Sequence, residues 1–201
     1  IKTFILINAV CFIFSAVIET MIDFNYNIKS TVEINDDGGF VEDIKDGLTY
    51  IRKNSEIVKM INVLVILNFF ISFSVTVPLP YIINNLLNLS SNQYGIIQGA
   101  FPVGMILGAV VVGKIIEKID YMKLLIFSSI TLSVAIALLG LPLVLADASS
   151  LAYMIYYISI MVIFGIAISF IDVPILWLIQ KSIPDNLRGK VLSISMSIVK
   201  L

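Results

Sequence analysis

The feature of this sequence that most constrains its fold is an almost wholly apolar run at 151–171. About 20 consecutive apolar residues are enough for an α-helix to cross the hydrocarbon core of a bilayer. Predominantly apolar stretches of similar length lie at 57–77, 93–116 and 124–146. The pattern therefore predicts several membrane-crossing helices and places the chain in the all-α class of polytopic membrane proteins.

Composition excludes several other classes. Of the 201 residues, 59% are hydrophobic and 13% are charged, whereas a soluble domain carries about 25% charged residues. The sequence contains no histidine, which excludes histidine-based acid–base catalysis and most transition-metal sites within it. Its one cysteine, Cys11, allows no intrachain disulfide. We predict no metal and no cofactor, and the net charge of −1 gives no indication of a nucleic-acid partner.

Polarity divides the chain into three parts. Residues 1–20 are predicted to form a membrane helix, and 21–55 a long water-exposed connection. Within that connection, 40–54 places apolar residues at helical spacing opposite charged ones, with acids first and bases last. We predict an amphipathic helix along the membrane surface, and an ordinary soluble linker helix is the alternative. Residues 56–201 are predicted to form a helix bundle.

The two ends of the sequence bear on its extent. A signal peptide at 1–18 is an alternative to a membrane helix, but Glu19-Thr20-Met21 is a poor cleavage site. Because the sequence begins with Ile1 and stops at Leu201 inside an apolar run, we expect it to be an internal part of a longer protein.

The predicted spans differ in their polar content. The span at 57–77 carries Asn and Ser, and Pro78 and Pro80 interrupt it before a further apolar tail at 82–89. The next span carries five glycines, and the spacing of Gly104-xxx-Gly108 favours close helix packing over a direct ligand role.

The later spans are separated by polar turns. The span at 124–146 is almost bare of polar groups other than hydroxyls, which suits a peripheral position facing lipid. A polar hinge is predicted at 180–190, and a last helix is predicted to begin near Val191.

Basic residues are confined to alternate connections. Most of the 13 lysines and arginines lie in 19–56, 114–123 and 180–190, and the connections between these carry none. The positive-inside rule then places the three charged connections in the cytoplasm, in a multi-pass protein of the plasma membrane.

Three short patterns in these connections resemble the major facilitator superfamily. Gly113-xxx-Glu117-Lys118 resembles the family's loop signature, which lies between helices 2 and 3 and, in weaker form, between helices 8 and 9. The segment 183–191 resembles the Pro-[Asp/Glu]-xx-Arg-Gly-[Arg/Lys] loop between helices 10 and 11. The segment 46–51 resembles the surface helix that precedes helix 7.

Asp172, Pro174, Gln180 and the 183–191 loop together resemble the macrolide-efflux and siderophore-exporter branch. The resemblance implies the C-terminal half of the family fold, from helix 6 to the start of helix 11. It also implies a secondary active transporter that exports hydrophobic or amphiphilic small molecules by alternating access and proton antiport. The implied partners are the small-molecule substrate, protons, the lipid bilayer and the missing N-terminal half of the same protein.

Functional residues follow from the family's architecture, in which helices 7, 8, 10 and 11 line a central cavity. The candidates for the cavity lining are Asn62, Asn68, Gln98, Asp172 and Trp177. The candidates for a cytoplasmic gate are Gly113, Glu117, Lys118, Asp172, Pro184, Asp185, Arg188 and Gly189. The tyrosines at 153, 156 and 157 are further aromatic contacts for substrate, and interfacial anchoring explains them equally well.

Asp172 has two interpretations. A carboxylate ionised at the centre of a membrane helix costs about 2.5–3.5 kcal/mol on insertion scales, so it needs a partner, a wet cavity or a proton. It is either a proton-coupling group or a latch that pairs with Lys118, Lys123 or Arg188 when the cytoplasmic side is closed. Lys200 is a second charge at membrane depth if the last helix is straight, and it is either a cavity cation or a residue whose environment lies in another part of the protein.

Two other function classes are alternatives to a transporter. A non-transporting membrane protein with a structural or sensory role would use the same helices. An intramembrane enzyme is disfavoured, because an aspartyl site needs two membrane aspartates and only Asp172 is present, while other known types need histidine.

Overall fold

The structure is a computed structural model that describes residues 2–21, 40–116, 118–145 and 148–200. Every regular element in these residues is helical. Four helices are long and apolar enough to cross a membrane, and a shorter apolar helix covers Ile5–Thr20. The all-α membrane class is therefore confirmed. The four long helices are Ser55–Leu86, Ser91–Ile115, Tyr121–Leu139 and Ser150–Ser182.

The chain forms two compact units, Ile1–Gly39 and Phe40–Leu201. The first unit is described through α1, Lys2–Thr20, where a helix was predicted. Cys11 is exposed on α1. The predicted connection at 22–39 lies outside the described residues.

The second unit begins with α2, Phe40–Lys53, which has the amphipathic pattern that the sequence predicts. Its buried face includes Gly47 and Ile51, and this face packs against the last helix. Arg52 and Lys53 lie in the last turn, where the helix dipole favours cations. Asn54 then caps the next helix by accepting a hydrogen bond from the main-chain N–H of Ile57 at 3.4 Å.

The first long span is continuous through its prolines. It consists of α3 (Ser55–Ile71), a π-helical segment (Ser72–Thr76), α4 (Pro78–Tyr81) and a second π-helical segment (Ile82–Leu86). Pro78 has no N–H to donate to the preceding turn. The chain responds by widening: the N–H of Val77 donates to the carbonyl of Ser72 at 3.1 Å, an i→i+5 bond. The predicted interruption is thus a change of helical register.

Two antiparallel spans follow. Helix α5, Ser91–Ile115, starts with a capping box formed by Ser90 and Gln93. Helix α6, Tyr121–Leu139, is capped by Asp120. The predicted extension of this span to residue 146 is wrong: Gly140 ends α6, and a separate short helix α7, Pro142–Leu145, follows.

Helix α8, Ser150–Ser182, is the longest element and contains Pro174. Helix α9 is Asp185–Lys200. The predicted start of α9 near Val191 is wrong, and the predicted hinge at 180–190 is largely helical. Pro184 ends α8, because proline has no main-chain N–H to donate to the preceding turn. Asp185 begins α9, at the end of the helix where the dipole favours an acidic residue. Ile183 and Pro184 alone separate the two helices.

Helices α5 and α8 run in the same direction and form the centre of the bundle. At their N-termini, Nε2 of Gln93 donates to Oγ of Ser150 at 2.8 Å. Further along, Oγ of Ser169 donates to the carbonyl of Met105 at 2.7 Å. Helix α6 packs antiparallel on α8, while α2 and α3 pack on α9.

Glycines make the α5–α8 contact possible. An added Cβ on Gly104 would meet the main chain of Val162, and one on Gly165 would meet the main chain of Phe101. A Cβ on Gly108 would lie 2.8 Å from Cβ of Ser169. Packing is therefore a sufficient explanation for Gly104-xxx-Gly108.

Candidate functional site

The carboxyl group of Asp172 lies at a cavity of about 270 Å³ where four helices meet. Helices α3, α5, α6 and α8 all contribute to its wall. Asp172 is half-buried, and Asn68 is the other polar side chain with a carbonyl or amide group in the lining. The lining residues are Leu67, Asn68, Ile71, Phe101, Met105, Leu132, Ile168, Ile171 and Asp172.

Asp172 makes no ion pair with any base in the part of the chain that the structure describes. Arg188, one of its predicted latch partners, pairs instead with Asp185 at 2.6 Å. Lys118 and Lys123 are exposed. The carboxyl group therefore depends on the cavity, by way of water or a proton, rather than on a cation of this unit.

A second cavity of about 470 Å³ lies between the first span and α9. Its polar groups are Asn68, Ser72 and Thr76 on one side and Lys200 on the other. The rest of the wall is apolar and is formed by Val65, Phe69, Ile71 and Val199.

Asn68 and Ile71 line both cavities. Nδ2 of Asn68 donates to the carbonyl of Leu64 at 3.0 Å, which fixes the side chain along α3. Asp172 and Lys200 thus belong to two cavities that share part of one wall.

The other predicted cavity residues do not join this lining. Asn62 is exposed on α3. Nε2 of Gln98 is 2.6 Å from the hydroxyl oxygen of Tyr94, one turn earlier on α5. Trp177 is 40% exposed, and Nζ of Lys181 lies 4.7 Å from its ring centroid in a cation–π arrangement. Of the five candidates, the structure brings together Asn68 and Asp172.

The predicted gate residues fall at two turns. Gly113 and Lys118 lie exposed at the α5–α6 turn, and Glu117 lies outside the described residues. Pro184, Asp185, Arg188 and Gly189 lie at the α8–α9 junction. The hydroxyl of Tyr50 on α2 donates to the carbonyl of Ser182 at 3.0 Å, so α2 is joined to this junction.

All three tyrosines that were predicted as aromatic contacts have structural partners, and the hydroxyl of Tyr153 accepts a hydrogen bond from the main-chain N–H of Ala148 at 3.1 Å. The hydroxyl of Tyr156 donates to the carbonyl of Leu138 at 2.8 Å, and that of Tyr157 donates to the carbonyl of Leu139 at 2.9 Å. These carbonyls are in the last turn of α6, where the regular helical donors are missing, and the carbonyl of Leu138 also accepts from the main-chain N–H of Leu141 at 3.1 Å. Tyr156 and Tyr157 therefore donate hydrogen bonds to main-chain carbonyls at the C-terminal end of α6.

Sequence reasoning did not include Ser72 and Thr76 among the candidate residues, and it offered a cavity cation as one of two interpretations of Lys200 without naming the groups that face it. A signal for the first two was present, because Asn68, Ser72 and Thr76 recur every four residues and so share one face of a helix. That Lys200 faces them depends on how α9 packs on α3, which no local pattern indicates.

Comparison with known proteins identifies one family. The sequence model of the Major Facilitator Superfamily matches residues 3–201. No curated protein and no solved structure matches the chain.

Proposed function

Since the chain belongs to the Major Facilitator Superfamily, it is part of a multi-pass membrane transporter rather than an enzyme, and we propose that it exports amphiphilic small molecules in exchange for protons. The observation that carries this proposal is the position of Asp172 at a cavity between α3, α5, α6 and α8. The resemblance to macrolide and siderophore exporters supports the substrate class. The charged turns at one end of the bundle support a cytoplasmic location for that end in the plasma membrane.

Asp172 is the proposed proton carrier. A half-buried carboxyl group in a membrane span is favourable as a neutral acid or in contact with water and a counter-charge. When the cavity is open to the outside, Asp172 takes up a proton. When the cavity is open to the cytoplasm, substrate enters and the proton leaves the carboxyl group to water. Each cycle thus moves a proton inward and a substrate outward.

The lining explains why an amphiphile suits this cavity. Its walls are aliphatic and aromatic except at Asn68 and Asp172. Pockets of this kind hold an apolar body by area and orient it by a few polar groups. Asn68 is therefore proposed to position the substrate beside the carboxyl group.

A latch role for Asp172 requires a basic partner in another conformation of the transporter. Cysteines placed at 172 and 118, in a protein with Cys11 replaced, test that contact directly. Efficient cross-linking that substrate suppresses would support the latch and would argue against a dedicated proton carrier.

The proposed function is tested by proton movement in inverted vesicles that contain the full-length protein. Addition of an amphiphilic compound, either a macrolide or 11-(dansylamino)undecanoate, should release protons from energised vesicles in the wild type, and Asp172→Asn should abolish this release while the protein still binds the compound. Glu56→Gln is the matched control, because Glu56 is an exposed carboxylate in the first turn of α3. Full proton release in Asp172→Asn would contradict the proposal that Asp172 carries the coupled proton.

A further inference from the structure

The cavity between the first span and α9 combines one cation with a row of polar side chains. Lys200 contributes the cation, and Asn68, Ser72 and Thr76 face it from one side of the span. We infer that this cavity binds the anionic group of an amphiphilic ligand, with Lys200 as the counter-charge. The inference rests on the proposed function and names its substrate class.

In the topology proposed from the charged turns, Lys200 lies at membrane depth. It follows Asp185, the first residue of α9, by 15 positions, or about 22 Å of helix at 1.5 Å per residue. The hydrocarbon core of a bilayer is about 30 Å thick. Asn68 lies at a similar depth, since it follows Ser55 by 13 positions, or about 20 Å. A cation at this depth needs a polar partner or a wet cavity.

Within the described residues, Lys200 has no carboxylate partner in an ion pair. The cavity wall described above contains no acid either. A ligand that brings a negative charge would therefore supply what this part of the protein does not.

The hydroxyls of Ser72 and Thr76 are available for a ligand. Elsewhere in the bundle, helical hydroxyls donate to the carbonyl four residues earlier, as Ser128, Ser159 and Ser195 do at 2.7–2.9 Å. Ser72 and Thr76 make no such bond to any residue that the structure describes. Both residues lie in the π-helical segment Ser72–Thr76, and both are exposed.

The walls specify the rest of the ligand. Val65, Phe69, Ile71 and Val199 present an apolar surface next to the polar row. An anion with an apolar body matches both surfaces. A cationic ligand would be repelled by Lys200, and a neutral amphiphile would leave the charge of Lys200 uncompensated. The fitting class is an amphiphilic carboxylate, sulfonate or phosphate.

Binding of a matched pair of probes tests the inference. The full-length protein in phosphatidylcholine nanodiscs is titrated with 11-(dansylamino)undecanoate and with its neutral methyl ester. We expect the carboxylate to bind at least ~10-fold more tightly than the ester, as expected for a charge-assisted hydrogen bond. Equal affinities in the wild type would overturn the inference.

Variants assign the preference to the cavity. Lys200→Gln should remove the preference for the carboxylate and leave ester affinity unchanged, which also shows that the variant is folded. Lys200→Arg should keep the preference. Lys59→Gln is the control, because Lys59 is an exposed lysine near the start of the same span as Asn68. Retention of the preference in Lys200→Gln would refute the role of Lys200.

Two further arms separate the alternatives. An anionic phospholipid carries the same chemistry, so the titration is repeated with phosphatidylglycerol in the nanodiscs. Unchanged affinity for the carboxylate probe supports a substrate site. If phosphatidylglycerol displaces the probe from the wild type and this displacement disappears in Lys200→Gln, the site binds lipid and the inference is overturned. Failure of both the macrolide and the carboxylate probe to drive proton release, with an intact carboxylate preference in binding, would refute the proposed function alone.

Discussion

Gly165 of α8 lies directly against the main chain of Gly104 of α5, and a Cβ on Gly165 would be 3.0 Å from the Gly104 carbonyl carbon. No side chain separates the two helices at this point. Helices that approach so closely gain dispersion contacts along their backbones, which is a main source of helix association in lipid. The α5–α8 pair therefore forms the most extensive helix contact among the described residues.

Gly104→Ala is expected to destabilise the protein by about 1–3 kcal/mol, because the new methyl group meets the main chain of Val162, which cannot rotate away. Gly99→Ala on the same helix is the control, since nothing lies within 4 Å of its added Cβ. That control should be neutral or stabilising by up to about 1 kcal/mol, because alanine is the better helix former. Thermal unfolding in detergent measures both. Equal changes in the two variants would contradict the close contact.

Tyr157→Phe is expected to lower stability by about 0.6–1.7 kcal/mol. The change removes the hydrogen bond to the carbonyl of Leu139 and leaves that buried acceptor unpaired. Tyr81→Phe should have almost no effect, because Tyr81 is 57% exposed. Thermal unfolding would again be the measurement, and an unaffected Tyr157→Phe would mean that water or another donor reaches Leu139.

Arg188→Gln is expected to change stability by less than about 0.5 kcal/mol. The pair with Asp185 is short at 2.6 Å, but the two side chains are 46% and 89% exposed and water screens their charges. Urea unfolding of the purified protein, with Lys123→Gln as a second exposed-cation control, measures this. A loss above 1 kcal/mol would show that Arg188 has a stronger partner. Reduced transport at unchanged stability would instead indicate a role in the transport cycle.

Tyr50→Phe is expected to speed amide hydrogen exchange at 183–190 by about 2–10-fold, the effect of losing one hydrogen bond. The hydroxyl of Tyr50 bonds to the last residue of α8, so its loss frees the junction. Thr49→Ala is the neighbouring control, because the Thr49 hydroxyl bonds only within α2, to the carbonyl of Lys45. Mass spectrometry of peptides from this region reads the result. Equal exchange in both variants would show that α2 does not restrain the junction.

Much of the fold was accessible from sequence because lipid imposes simple rules. The apolar run at 93–116 and the glycines within it were enough to place α5 and to indicate a close helix contact. The errors lie where hydropathy outweighed local signals. Gly140 and Pro142 marked the end of α6, and Pro184-Asp185 marked the start of α9, yet the apolar runs beyond them determined the prediction.

The site was less accessible. Asp172 was identified because a charge within an apolar run is conspicuous. Its neighbour Asn68 could be named as polar but not distinguished from Asn62, since both lie on one helix and only packing decides which faces the cavity. The π-helical segment has no local signature beyond Pro78, so the free hydroxyls of Ser72 and Thr76 could not be foreseen.

The short junction after α8 has a mechanical consequence. Helix α8 has 33 residues and is about 50 Å long. The two residues that join it to α9, Ile183 and Pro184, span at most about 7 Å. If α8 tilts, the first turns of α9 are therefore expected to move with its C-terminal end. Asp172 lies on α8 and Lys200 lies at the far end of α9, so a tilt of α8 is expected to change the positions of both side chains relative to Asn68.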